Sequence, residues 1–233
     1  MKLDLFVFTS LMVSACSSSE KIPTCIYAEL GVDGISNISK ELDAKFEDSF
    51  EVVLNNNNEK RTITQCAEFN ALPHNGFAAE NPIDFNPLMR TGARCIALDW
   101  LKNVKDAKKS FVDKDDKSPS FLKKLPPHLS AGALSSSDIA ALEAAAAQCK
   151  TWGEYDKDIS IEVRSEHAFT VTTADWIGTI TVYGRGDFNN DGFEDVLVGR
   201  DGGPSGGSLN MSSVFVFTKT ANDSCYKTIQ KMN

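Results

Sequence analysis

In the run Gly186-Asp187-Phe188-Asn189-Asn190-Asp191-Gly192-Phe193-Glu194-Asp195, the oxygen-bearing side chains Asp187, Asn189 and Asp191 stand two apart and Asp195 four further on. Calcium is a hard cation that takes six to eight oxygens at about 2.3–2.6 Å. Alternate residues of a tightly turning loop can point at one centre. Gly192 permits a sharp turn after the third side chain, and the Phe193 carbonyl then faces the same point. Three carboxylates in so short a stretch repel one another unless a cation sits between them. The pattern therefore predicts calcium as cofactor, with Asp187, Asn189, Asp191, the Phe193 carbonyl and Asp195 as ligands. The plainer alternative is an acidic hairpin loop without an ion. Extracellular calcium modules bind at about 10⁻⁴–10⁻³ M, so a bound ion here would staple the loop and catalyse nothing.

The spacing excludes an EF-hand. That loop closes with a bidentate glutamate at its twelfth position, and twelve residues from Asp187 stands Val198. Asp195 closes this loop instead, and Val196-Leu197-Val198 continues as a strand. Residues 178–218 resemble an FG-GAP unit, the calcium-loop element of integrin α-subunit propellers and related bacterial repeats. There Gly-Asp-x-Asn-x-Asp-Gly-x-x-Asp precedes an apolar strand, a glycine-rich stretch and another apolar strand. Here Gly186 to Asp195 is followed by Val196 to Gly199, Gly202 to Gly207 and Val214 to Phe217. The resemblance implies the same five ligands. A propeller needs several blades, and one copy is present, so neither a full propeller nor an integrin-like function is expected.

The elements that must position this loop are strands. Ile159 to Val163, Ala168 to Thr172, Ile177 to Tyr183, Val196 to Val198 and Val214 to Phe217 are β-branched and aromatic runs of strand length, with turn residues between them. Short connections favour an antiparallel meander. Upstream, Phe50 to Leu54 and Arg61 to Cys66 flank Asn55 to Asn58, which reads as a hairpin because asparagine tolerates left-handed turns. Pro73, Pro82 and Pro87 interrupt any period before a helix expected over Ala93 to Lys109. A second helix, Ile139 to Lys150, is alanine-rich and preceded by capping serines. The expected fold class is α+β: an N-terminal mixed helix and hairpin region, then a C-terminal antiparallel β-meander carrying the calcium loop. The expected division is a signal peptide at 1–15, a lipid-anchored tether at 16–24 and a mixed region at 25–112. A charged, proline-containing connection follows at 113–136, read as solvated, and then a helix plus β-rich region at 137–233.

The chain begins with an apolar stretch too short to span a bilayer, ending in Val13-Ser14-Ala15-Cys16. This resembles a bacterial lipobox, which implies lipidation of Cys16 and a membrane contact made by that anchor alone. The same residues suit an ordinary secretory signal. The expected location is the cell envelope, at the outer membrane facing the periplasm, with secretion or a free periplasmic protein as the alternative. Cys25, Cys66, Cys95, Cys149 and Cys225 remain as disulfide candidates in an oxidising compartment. With Cys16 lipidated, their odd number predicts two bridges and one free thiol; without lipidation the six cysteines could form three bridges, and connectivity is open either way. The net charge of −8, with no basic stripe, argues against nucleic acid as partner.

No catalytic set is recognised. Gly203-Pro204-Ser205-Gly206-Gly207 matches a hydrolase nucleophile elbow in letters but lacks a following helix and a downstream histidine. His74, His128 and His167 are scattered. Trp100, Trp152 and Trp176 are expected in the core. The expected function is a non-catalytic, calcium-binding envelope lipoprotein that binds another macromolecule, in one version as an inhibitor or immunity protein. The alternatives are a carbohydrate-binding module using Trp176, Tyr183 and Phe193, and a hydrolase whose histidines meet carboxylates only in the fold. The partner is thus an unknown protein or glycan.

Overall fold

The computed structural model describes residues 21–32, 34–73, 76–130 and 135–232. Cys16 and His74 lie outside them. After a two-residue strand β1 (Cys25–Ile26) and helix α1 (Ile35–Asp43), strands β2 (Lys45–Leu54) and β3 (Lys60–Gln65) form the expected hairpin. Asn58, at φ 56, supplies its left-handed residue. Cys66 opens a short helix α2 (Cys66–Asn70), and β4 (Phe77–Ala79) adds to the free side of β2.

Helix α3 (Phe85–Asn103) begins well before the expected Ala93 and stops short of Lys109. Pro87 falls in its first turn, where a missing N–H has no helical acceptor to lose. Beyond Asn103 the backbone is used otherwise: Lys105, Ala107 and Lys109 form bridges to Asp187, Ile22 and Phe193. The helix ends because its next residues strap the acidic loop. A disulfide between Cys66 and Cys95 ties α2 to α3. Gly92 lets the two approach, since a Cβ there would sit 1.9 Å from Phe69 Cζ.

The stretch expected as a solvated connection is only partly so. Helix α4 (Pro119–Lys124) and the 3₁₀ turn Pro127–Leu129 bury Phe121, Leu122, Leu125 and Leu129 completely or nearly so. Their apolar residues were masked among lysines, aspartates and prolines. Helix α5 (Ser136–Ala147) starts on a capping box between Ser135 and Asp138, as expected, and α6 (Trp152–Tyr155) follows.

The remaining strands are β5 (Ser160–Val163), β6 (Ala168–Thr172), β7 (Trp176–Gly186), β8 (Asp195–Pro204), β9 (Met211–Thr218) and β10 (Lys227–Met232). They pair in chain order, all antiparallel, with β1 added to β7. The architecture is mixed α+β with a C-terminal antiparallel meander, and the sheet closes into neither barrel nor propeller. The glycine-rich residues expected as a loop extend β8 to Pro204, and β9 follows the turn, so the elbow motif has no helix after it.

Both faces of the central strands are covered. Leu197, Val214 and Val216 pack with α3, α1 and the small sheet, while Val196, Val198, Phe215 and Phe217 pack with α4 and Trp152. The two-residue period of a strand thus divides one apolar run between two cores. Trp152 and Trp176 are core residues, as expected, and Trp100 packs partly buried at the edge of the first core. Cys149 and Cys225 form the second disulfide, leaving Cys25 as the free, exposed thiol among the described residues. Two bridges and one free thiol are the expected result. No described helix is long and apolar enough to cross a membrane.

Candidate metal centre

The acidic run forms the turn between β7 and β8, with Gly186 paired to Asp195 at its base. Asp187 caps the turn from within: its Oδ1 accepts the Asp191 N–H at 3.1 Å and its Oδ2 the Gly192 N–H at 2.9 Å. Asn189 Oδ1 accepts the same Asp191 N–H at 3.0 Å, and the Asn189 amide donates to Asp191 Oδ2 at 2.9 Å. Asp191 Oδ1 accepts the Phe193 N–H at 2.8 Å. Gly192, at φ 88, makes the turn that the motif requires of it, and Asn190 takes φ 63 beside it. The chain beyond α3 holds the outside of the turn, Lys108 and Lys109 donating their N–H groups to the Gly192 carbonyl at 2.8 and 3.1 Å.

Asp195 differs from the others. It is wholly buried, its Oδ2 accepts the Phe188 N–H at 3.0 Å, and its Oδ1 makes no hydrogen bond of ordinary geometry, the Thr218 hydroxyl lying beside the carboxyl out of good alignment. Burial pushes its carboxyl up to about 7, the Thr218 hydroxyl and the Phe188 N–H oppose the rise, and the Asp191 and Asp187 charges add to it. A buried carboxylate oxygen without a partner costs free energy that a cation would recover. Asp187, Asn189 and Asp191 are therefore brought together by the turn, and Asp195 is joined to them through Phe188. Among the described residues no three His, Cys, Asp or Glu side chains already close on one point, because main-chain N–H groups occupy most of these oxygens. The donor set is all oxygen, which suits calcium rather than zinc or copper. Of these side-chain oxygens, Asp195 Oδ1 is the one that makes no hydrogen bond of ordinary geometry.

Sequence reasoning missed what supports this turn. Glu194, next to Asp195, is buried and accepts from Ser110 Oγ and from Arg185 Nη2, the latter at 3.1 Å. Arg185 also reaches Asp116 at 3.4 Å, and the Tyr27 hydroxyl donates to Asp116 at 2.6 Å. One partly buried arginine between two buried carboxylates links β7, the turn and the segment before α4. The only signal in the sequence was an arginine placed within an apolar strand.

The aromatic platform of a carbohydrate module is largely absent. Trp176 is 2% exposed, Tyr183 packs against the first core, and Phe193 lies against Phe111 with ring centroids 5.8 Å apart. The histidines do meet carboxylates. His167 stacks on Tyr27 at 3.6 Å between centroids, and its Nδ1 lies 3.7 Å from Glu29. His128 stands between the Thr228 hydroxyl, 2.8 Å from Nδ1, and Glu143, 3.1 Å from Nε2. Hydroxyl, imidazole and carboxylate follow one another as in a hydrolase relay but on the opposite ring nitrogens, and Thr228 does not line the neighbouring cavity, while His128 and Glu143 do. The contacts join the 3₁₀ turn, α5 and β10. Compared with known proteins, the chain matches no family model, and no curated protein or solved structure is significantly similar to it.

Proposed function

We propose that this chain is an exported envelope protein, anchored by lipid at Cys16, in which calcium fixes the β7–β8 turn and the strap laid along it. Its task is non-catalytic binding of another macromolecule, with inhibition or immunity as the sharper version. The observation that carries the calcium assignment is the fully buried Asp195 carboxyl at the base of the turn, whose Oδ1 makes no hydrogen bond of ordinary geometry although the Thr218 hydroxyl lies beside it. The FG-GAP-like spacing of Asp187, Asn189, Asp191 and Asp195 supports it, as does the all-oxygen donor set. The disulfides and the lipobox-like Val13 to Cys16 support export. The non-catalytic reading is carried over from the sequence, in which no catalytic set is recognised. The relay at Thr228, His128 and Glu143 is the observation that favours a hydrolase instead, and cleavage of short p-nitrophenyl esters abolished by His128→Ala would turn the assignment that way.

Thermal unfolding tests the metal. Calcium in hundredfold excess over its dissociation constant stabilises the folded chain by about 2.7 kcal/mol, which raises the Tm by roughly 5–10 °C at this size. The shift is expected with about 10 mM calcium, is weaker with magnesium because that ion demands stricter geometry, and disappears in Asp191→Ala. A Tm indifferent to calcium in chelator-treated protein would overturn the assignment.

A further inference from the structure

A second site stands apart from the acidic turn. Among the described residues β10 pairs with β9 as far as Met232 opposite Val214, and Met211 to Ser213 lie beyond that pairing. Beside this part of β9 lies a cavity of about 460 Å³, walled by the small sheet and α3 on one side and by α5 on the other. That is the size of a small-molecule pocket. Its walls are mainly apolar, with Phe77, Met89 and Leu142 among them. Phe85 and Ile139, two of the few large apolar side chains left exposed among the described residues, stand on the same lining.

Into this lining the chain places a cation. Arg200 sits on β8 directly opposite Ser213 and is 8% exposed. Its Nη1 donates to the Ser130 carbonyl at 2.7 Å and, more weakly, to those of His128 and Leu129, while Nη2 donates to Ser213 Oγ at 3.0 Å. Nε has no partner. The guanidinium also lies over the Phe215 ring at 5.3 Å. All these partners are neutral. Among the described residues no carboxylate lies within ion-pairing distance: Glu143, on the same wall, is engaged by His128 and Lys231, and Asp201 by Arg90, Asn210 and Ser212. Burial without a counter-ion pulls the Arg200 pKa down to about 10. A buried charge is ordinarily paired; here Nη2 is taken by Ser213 and Nε is buried without a partner, so the uncompensated charge, rather than a two-pronged contact, is what would draw an anion to this wall.

We infer that the cavity beside Met211 to Ser213 of β9 binds a single-chain carboxylate amphiphile, its anionic head drawn to Arg200 and its chain lying against Phe77, Met89, Ile139 and Leu142. The complementarity is of charge and of polarity together: a neutral apolar ligand leaves the arginine unpaired, and a small anion leaves the apolar walls wet. This site is independent of calcium, and its ligand need not be the macromolecular partner.

Calorimetric titration of the mature chain with laurate, and with dodecyltrimethylammonium as the same chain bearing the opposite charge, tests the inference. One equivalent of laurate is expected to bind at least about tenfold more tightly than the cation. Arg200→Gln is expected to erase that preference. Because Arg200 also holds three carbonyls, its variant is checked for folding by circular dichroism. Ile139→Asp, at a half-exposed helix position, keeps the fold and weakens laurate binding by a similar factor. Saturable laurate binding with the head-group preference, reduced in Ile139→Asp, supports the site even where Arg200→Gln does not fold. Equal binding of the two amphiphiles, or no saturable laurate binding by the folded wild type, overturns it.

Discussion

Chelator-treated protein is expected to lose about 3 kcal/mol of stability between about pH 5 and about pH 8, and calcium is expected to abolish most of that loss. The cause is Asp195, whose folded carboxyl is pushed up to about 7 by burial while the unfolded one stays near the usual value for aspartate. The folded chain therefore holds a proton that the unfolded chain has released. A raised carboxyl contributes stability that is complete below its unfolded pKa and is lost as the pH rises through the folded value. The carboxylates held below their usual range, such as Glu68, Glu143 and Glu154, act in the opposite sense and at lower pH, and the difference between wild type and Asp195→Asn across the window reports Asp195 alone. Calcium binds the ionised form and competes with the proton, so its stabilisation is larger at the upper end of the window. Asp195→Asn removes the slope, since the amide keeps an acceptor for the Phe188 N–H and does not titrate. Urea unfolding across the window measures all of this. A flat metal-free profile, shared by wild type and Asp195→Asn, contradicts it.

The second large effect belongs to the bridge between Cys149 and Cys225. It spans 76 positions, and a crosslink of that reach removes loop freedom from the unfolded chain worth about 4.5 kcal/mol in the chain-entropy description. Replacing both cysteines by serine is expected to cost roughly that amount. Structurally the bridge joins the end of α5 to the segment leading into β10. Glu143 of α5 meets Lys231 at 2.8 Å and His128 at 3.1 Å in the same neighbourhood. The double variant therefore loosens the β10 edge first, and its amide hydrogens in Lys227–Met232 exchange faster than those of β8. A midpoint in urea unchanged from wild type would show that this bridge does not constrain the fold.

Much of the fold was legible because strands in a layered protein announce themselves by residue type. Ala168 to Thr172 was read with its bounds intact, and Phe50 to Leu54 and Arg61 to Gln65 fell inside their hairpin. Strand β10 was not seen, since Lys227-Thr-Ile-Gln-Lys-Met232 alternates weakly and lies at an edge. Helix α3 was misplaced because a proline suits the first turn of a helix as well as a break. The acidic turn was legible from spacing alone, and its hydrogen-bonded form follows from the same short side chains reaching their own backbone. Its supports were not: the Arg185, Asp116 and Glu194 network joins residues 69 and 9 positions apart, and no local pattern reports such a pairing. The same holds for Arg200, which sits in a strand buried on both faces. A charge in such a strand is visible in the sequence, but its unpaired state is visible only in three dimensions.

The most direct measurement is metal content. Equilibrium dialysis of the mature chain against about 10 mM calcium, followed by elemental analysis, is expected to find one bound ion per chain in the wild type and none in Asp195→Asn or Asp187→Ala. Folded wild-type protein that emerges free of calcium, or variants that retain the ion as well as the wild type does, would contradict calcium binding at the β7–β8 turn.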